Sequence, residues 1–206
     1  MKVSEYLVNR RVVVFAVATF FFIAFLGYFR SHFMQIDWIL RIQQGITPGQ
    51  VIFWRIMSSS VTVLSFGVPI LLALWHWFNR SGSWLPLLYT FGSIASAGII
   101  NYIIKFIFQA ERPFHTSLSV LKLGSGGSFS FPSGHSAEAF AAAVFIGCWV
   151  NHSILRSMLI VWALLVAMSR VILGVHTPAD VIAGMALGSA VSLIFHQVAK
   201  ANNVLE

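Results

Sequence analysis

A single cysteine, Cys148, stands alone inside an apolar run of this 206-residue chain. That excludes an intrachain disulfide and a thiolate metal cage. Charge is nearly as scarce: 9% of the residues are charged, against roughly 25% in an ordinary soluble domain. No carboxylate pair and no histidine cluster has metal-ligand spacing, so no catalytic metal and no other cofactor is expected. The formal charge of +7 is spread thinly. Lys and Arg occur as singles between apolar runs, without the basic face that a nucleic-acid binder needs. An anionic lipid headgroup is the partner such a distribution suits. There is no internal repeat and no soluble appendage, and nothing in the sequence calls for an obligate protein partner.

What is abundant is apolar surface. With a mean hydropathy of +0.83, a water-soluble protein of this length could not hide it, and the chain is read as an all-α integral membrane protein. Six candidate transmembrane helices can be read as apolar runs, at about 12–29, 60–78, 84–108, 129–150, 155–174 and 178–198. Arg10 and Arg11 fence the first run on one side and Arg30 on the other, and its length makes it a span rather than a cleavable leader. Pro69 lies inside the second run, where membrane helices tolerate a kink. Residues 79–83, "NRSGS", read as a tight turn. Residues 31–59 mix Trp38, Trp54, Arg41 and Arg55 with apolar residues and are expected to form an interfacial amphipathic segment between the first two spans. Residues 113–132 carry a flexible Gly/Ser stretch. The whole of 1–206 is read as one membrane-embedded domain with a motif core at 105–180, and Leu205-Glu206 as a cloning scar.

Polar residues at the span ends are more specific. In "KFIFQAERP", Lys105 and Arg112 are seven residues apart and share an azimuth if the helix persists. Taken alone, they read as cations snorkelling from a helix end. "PSGH" looks like a helix entry, with Ser133 as N-cap and outward backbone N–H groups suited to an anion; its plain reading is a capped helix start with His135 at the interface. In "SRVILGVHTPAD", Thr177, Pro178 and Asp180 read as N-cap, N1 and the acidic N3 of a capping box. The Asp180 carboxylate could instead hold an N–H of His176, leaving the other ring nitrogen free as a nucleophile. Arg170 closes the preceding span, where a lone cation again reads as snorkelling.

Alternating spans tie these pieces together. The ends of the third and fifth runs and the starts of the fourth and sixth face one side, so Lys105, Arg112, Ser133, His135, Arg170, His176 and Asp180 gather at one membrane surface, opposite both termini. Three cations and a helix N-terminus make a phosphate receptor. Two histidines add a nucleophile for phosphorus and an acid for the departing oxygen.

In order and spacing, these segments resemble the three-part signature of the type 2 phosphatidic acid phosphatase superfamily, which includes membrane lipid phosphate phosphatases and soluble vanadium haloperoxidases. The signature runs Lys, six residues, Arg-Pro; Pro-Ser-Gly-His; Ser-Arg, five residues, His, three residues, Asp, and all three parts are complete here. The resemblance implies a metal-independent hydrolase with His176 as the nucleophile that becomes a phosphohistidine, Asp180 orienting it, and His135 as the acid for the leaving group. It further implies Lys105, Arg112, Arg170, Ser133 and the Gly134 backbone N–H as phosphate ligands, with Ser169 in support.

Remaining polar residues carry less. Glu111 reads as a solvated loop charge, and Glu138, one turn into a span, as a carboxylate in need of a partner or water, for which a hydrogen bond to His135 or to a site cation would give a supporting role. His76, His152 and His196 are expected toward the opposite surface, and His32 and His115 on the site side with no assigned role. With Lys105, Arg112 and Arg170 set aside, Lys and Arg number six on the terminal side and four on the motif side. That leans toward cytoplasmic termini in a bacterial inner membrane and a site facing the periplasm or exterior. Substrates implied by the family are phospholipid or polyprenyl phosphates, with undecaprenyl pyrophosphate or phosphatidylglycerol phosphate preferred. A phosphotransferase or phosphatase acting on lipid A is the alternative, and a non-catalytic transporter or lipid-binding subunit the reading from another class.

Overall fold

The capping chemistry of the sequence sets where the helices begin. In the computed structural model, which describes residues 10–30, 36–79, 84–127, 129–150 and 152–204 (without the side chains of residues 73, 76 and 79), eight helices follow in order. They are α1 (Arg10–Tyr28), α2 (Ile36–Gln44), α3 (Pro48–Asn79), α4 (Leu85–Phe108), α5 (Pro113–Thr116), α6 (Gly134–Trp149), α7 (Ser153–Ile172) and α8 (Pro178–Ala201). The turn expected at 79–83, together with Lys2, His32 and the 205–206 terminus, lies at least partly outside the described residues, as do Arg80 and the His76 side chain.

Five of these helices are long and apolar enough to cross a membrane: Arg10–Tyr28, Pro48–Leu72, Leu85–Thr116, Ser153–Ile172 and Pro178–Ala201. The fold is therefore that of an all-helical, multi-pass membrane protein. The run expected at 129–150 becomes the 16-residue α6. Ser133 caps it, and Pro132 precedes the cap, which restricts the backbone there.

The second span starts earlier than its hydropathy suggests. Thr47 and Gln50 form a reciprocal capping pair, in which the Gln50 side chain accepts from the Thr47 N–H at 2.8 Å and Thr47 Oγ1 accepts from the Gln50 N–H at 3.3 Å. With Pro48 at the first helical position, this nucleates α3 twelve residues ahead of the apolar run. Residues 48–59 therefore belong to α3, which continues unbroken through Pro69. Of the segment expected at 31–59, residues 36–44 form a separate helix, α2, which buries Ile39 and Gln43 and exposes Trp38 and Arg41.

Helix α6 lies at the centre. Ala137, Ala139, Ala141, Ala142 and Ala143 on it have no exposed surface, and small residues let neighbouring backbones approach closely. On α8, a side chain at Gly184 would strike the Ser133 carbonyl, and one at Gly188 the Ala137 carbonyl. Polar bonds stitch the same layer: Ser192 donates to the Ala141 carbonyl at 2.6 Å and meets the Ser93 hydroxyl of α4 at 3.0 Å. Outward, Phe20, Phe21, Leu71, Ile99 and Ile107 are more than 60% exposed, the apolar coat that a bilayer solvates.

Gly188→Val forces α6 and α8 apart and is expected to destabilise the protein by about 1–3 kcal/mol, the usual cost of overpacking a tight core. A thermal-unfolding midpoint in detergent equal to that of the unsubstituted protein would contradict this close approach.

Candidate active site

Tight α6–α8 packing brings two helix N-termini side by side, and the Ser133 N–H donates to the Asp180 carbonyl at 2.8 Å. Around that junction gather the ends of α1, α4 and α7 and the segment 110–131. Helix α4 stops at Phe108, with Gln109 in the left-handed region (φ 44) capping the Lys105 carbonyl. The helix therefore does not persist to Arg112, and a shared azimuth is not what joins Lys105 to Arg112. Pro113 disfavours helical geometry at the residue before it, and Arg112 is extended (φ −85, ψ 152) as the N-cap of α5.

His176 is 2% exposed, in the short connection between α7 and α8. Its Nε2 faces Arg112 Nη1 at 3.2 Å. On its other edge, Nδ1 lies 3.4 Å from Ser130 Oγ and 3.5 Å from Asp180 Oδ2. Burial holds the imidazole well below its ordinary range, at about 3, against the opposing pull of Asp180. The ring is therefore neutral at neutral pH, and an Nδ1–H turned to Asp180 leaves Nε2 with its lone pair.

Asp180, fully buried, closes the capping box and lies 3.5 Å from His176 Nδ1. Its Oδ2 accepts from the Thr177 N–H at 2.8 Å, while Thr177 Oγ1 accepts from the Asp180 N–H at 3.3 Å, which completes the capping box. The same Oδ2 accepts from Ser130 Oγ at 2.5 Å, and Oδ1 accepts from Arg30 Nε at 2.8 Å.

Arg30, at the end of α1, also donates through Nη2 to the Glu111 carbonyl at 2.6 Å. In the sequence it reads only as the fence of the first span. Among the described residues Asp180 forms an ion pair with Arg30, and the neutral His176 ring lies beside its other oxygen.

The other cations hold neutral groups. Lys105 donates to the carbonyls of Phe129 and Ser130 at 2.6 and 3.1 Å. Arg112 donates to the carbonyls of Val175 and Phe129 at 2.8 and 3.4 Å. Arg170, 1% exposed, donates to the Ser58 hydroxyl and, at 2.6 Å, to the Ser125 carbonyl; its Nε is buried without a partner among the described residues. Positive charge is thus concentrated here well beyond what one carboxylate offsets.

At the start of α6, the Ser133 hydroxyl accepts from Ser136 Oγ at 2.9 Å and from the Ser136 N–H at 3.4 Å. With the Ser133 N–H committed to Asp180, the donors left at this terminus are the Gly134 and His135 N–H groups, which have no acceptor among the described residues. The His135 ring, half-buried, makes no hydrogen bond among them and lines two cavities. One, about 420 Å³, also touches Arg55 and Ser125; the other, about 400 Å³, touches Lys105, Asn101 and Glu138.

Glu138 Oε1 is buried with no partner among the described residues, and neither His135 nor a site cation bonds it. Ser169 spends its hydroxyl on the Val166 carbonyl at 2.6 Å and points at no other site group. The Glu111 side chain is exposed. Of the remaining histidines, His152 caps α7, His196 lies beside Phe145, and His115 is on the rim of a third cavity with Arg112.

Sequence reasoning missed Arg30, Ser130, Ser58 and Gln43. The Gln43 side-chain amide clamps Leu121 from both sides, at 2.9 Å each, and reaches the Ile172 carbonyl. Gly174 has φ +71, and a side chain there would collide with the Leu121 carbonyl and Gln43. These residues carry no motif spacing; Ser130, two residues before Pro132, was the nearest to legible.

Comparison with known proteins gives a consistent picture. The family model described as PAP2 superfamily matches residues 86–203. A lipid A 4'-phosphatase of Bacteroides thetaiotaomicron is 24% identical over 158 residues, 71% of this chain and 70% of that protein. An undecaprenyl-diphosphatase of Bacillus subtilis is 30% identical over 127 residues, 61% of this chain and 64% of its own. The chain spans between 43% and 70% of the curated relatives it matches. Its fold is similar to the crystal structure of a transmembrane PAP2-type phosphatidylglycerolphosphate phosphatase from Bacillus subtilis, with a TM-score of 0.75 and 24% identity over 93% of this chain and 97% of the other.

Proposed function

The chain belongs to the PAP2 superfamily, and from that premise we propose that it is a metal-independent membrane lipid phosphatase working through a phosphohistidine at His176. The observation that carries this reading is the pose of His176: a buried neutral imidazole with Nδ1 turned to Asp180 and Ser130, and Nε2 directed at Arg112. An anion drawn among Lys105, Arg112 and Arg170 would meet that nitrogen.

Each step uses a group already in place. Nε2 attacks the terminal phosphorus, the bond from phosphorus to the lipid oxygen breaks, and His135 supplies the proton to the departing oxygen. Lys105, Arg112, Arg170 and the Gly134 N–H stabilise charge on the equatorial oxygens. Water then attacks the phosphohistidine while His135 takes its proton; the phosphorus–nitrogen bond breaks and inorganic phosphate leaves. Ser133 supports the site by shaping the first turn of α6, and Ser169 by fixing the last turn of α7. Glu138 lines a cavity that His135 also borders, which suits a positioning role toward the His135 ring.

In the membrane, α6 is the sixth crossing. Sixteen residues reach about 24 Å, a little short of the roughly 30 Å hydrocarbon core. Yet α6 starts at the site, where α7 ends, and a three-residue connection at 150–152 joins its far end to α7. The two therefore traverse the same thickness. Helix α2 is the interfacial element, and 1–206 acts as one domain. Arg30 now joins the cations committed to the site, leaving three uncommitted Lys and Arg on that side against six at the termini. This supports cytoplasmic termini in a bacterial inner membrane and a site open to the periplasm or exterior. The substrate is a phosphate- or pyrophosphate-headed lipid, with undecaprenyl pyrophosphate and phosphatidylglycerol phosphate first, and lipid A or phosphoryl transfer to a second lipid as the alternative.

Purified protein in detergent with excess EDTA is expected to release inorganic phosphate from at least one of undecaprenyl pyrophosphate, phosphatidylglycerol phosphate and phosphatidic acid. Release that EDTA abolishes and a divalent cation restores would overturn the metal-independent mechanism.

A further inference from the structure

Two stretches that carry no part of the signature, residues 55–59 of α3 and residues 122–125 of the loop after α5, converge on one cavity. It encloses about 420 Å³ between α3, the loop and the first turn of α6, with Arg55, Ser58, Lys122, Ser125 and His135 among its lining. No carboxylate of the described residues lines it. Arg170 braces it from below, because the Ser58 hydroxyl and the Ser125 carbonyl that it binds are both wall groups, and its buried Nε has no partner among the described residues.

Two further cations stand at this cavity. Arg55 fixes its Nε on the Leu123 carbonyl at 2.7 Å, which leaves its terminal N–H groups without an acceptor among the described residues. Lys122 holds its ammonium 4.8 Å from the centre of the Phe114 ring, and no ion pair among the described residues involves it.

The position of His135 gives these charges a meaning. As the acid it faces the leaving oxygen, so the part of the substrate beyond that oxygen extends into a space that His135 borders. A glycerol or sugar hydroxyl leaves without net charge and needs no added cations. A leaving phosphate carries negative charge as the P–O–P bond breaks, and cations aimed at its oxygens stabilise that departure. We propose that the Arg55/Lys122 cavity is the subsite for the second phosphate of a pyrophosphate-headed lipid, which makes the anhydride the preferred substrate class. This rests on the phosphatase reading of His176.

The test compares kcat/KM for undecaprenyl pyrophosphate and undecaprenyl monophosphate, in EDTA, between the full-length wild type and R55Q/K122Q. The ratio of pyrophosphate to monophosphate is expected to exceed one in the wild type and to fall at least about tenfold in the variant, the scale of one lost charge-assisted contact. Methylenediphosphonate is expected to inhibit the wild type more strongly than methylphosphonate, a preference that the variant loses. If the double variant fails to fold, R55Q and K122Q are compared singly in the same way. A wild type that prefers monophosphate, or a ratio that the substitutions leave unchanged, overturns the subsite and leaves the phosphatase reading standing. A wild type that releases phosphate from neither these lipids nor phosphatidylglycerol phosphate and phosphatidic acid overturns both.

Discussion

His176→Ala is expected to lower phosphate release by about 10⁴-fold or more, the scale on which a covalent nucleophile is missed. Alanine removes the one ring nitrogen that combines a lone pair with an Arg112 contact at 3.2 Å. It leaves Lys105, Arg112 and Arg170 on their carbonyl and hydroxyl partners, so capture of the lipid headgroup is expected to persist. The decisive readout is chemical. Brief mixing of wild type with substrate labelled in the terminal phosphate, and then alkaline quenching, is expected to leave label on the protein that acid removes, as a phosphorus–nitrogen bond requires. His176→Ala is expected to show none. Equal labelling of the two proteins, or full turnover by the variant, would place the nucleophile elsewhere.

Arg30→Met is expected to cost about 10²-fold in kcat, although Arg30 lies outside every motif and 150 residues from its partner. The physical reason is the state of Asp180. That carboxylate has no exposed surface, and removing one member of a buried, hydrogen-bonded pair costs about 3–5 kcal/mol because the other charge is stranded. Asp180 would recover by bonding more tightly to Ser130 and the Thr177 N–H or by taking up a proton. The first draws Oδ2 from His176 Nδ1 and the second weakens the carboxyl as an acceptor, and either loosens the tautomer that keeps Nε2 unprotonated.

A second consequence is mechanical, since Arg30 also holds the Glu111 carbonyl, next to Arg112. Arg30→Lys keeps the charge but cannot reach both acceptors with a planar fork, and partial rescue of kcat with little change in KM is expected. If Arg30→Met lowers the unfolding temperature while kcat stays at the wild-type value, Arg30 is a strut of the fold and nothing more.

How much of this was legible depends on the range over which each feature acts. The helix entries at Ser133 and Thr177 were readable because capping is a contact between residues three apart. The start of α3 was equally readable in Thr47-Pro48-Gly49-Gln50, yet hydropathy drew attention twelve residues downstream, and the apolar scale does not register a cap. Lys105 and Arg112 were paired in sequence for a helical reason that does not operate, because Gln109 ends the helix between them and Arg112 is extended ahead of Pro113. Their approach to one another comes from the loop carbonyl of Phe129, which both hold.

By itself the sequence determined the solvent, the helical class and the chemical types at the site. Apolar runs must be solvated by lipid, lipid admits few backbone conformations, and the polar residues at span ends stand at the spacings of the family signature. Tertiary structure alone decided which distant groups complete the site. The glycines of α8 let α6 sit close enough to set Ser133 against Asp180, and distant chain segments bring Arg30 and Ser130 to the same carboxylate and Arg55 to the Leu123 carbonyl. Contacts of this kind join residues from 50 to 150 apart in the chain, and no local pattern encodes them.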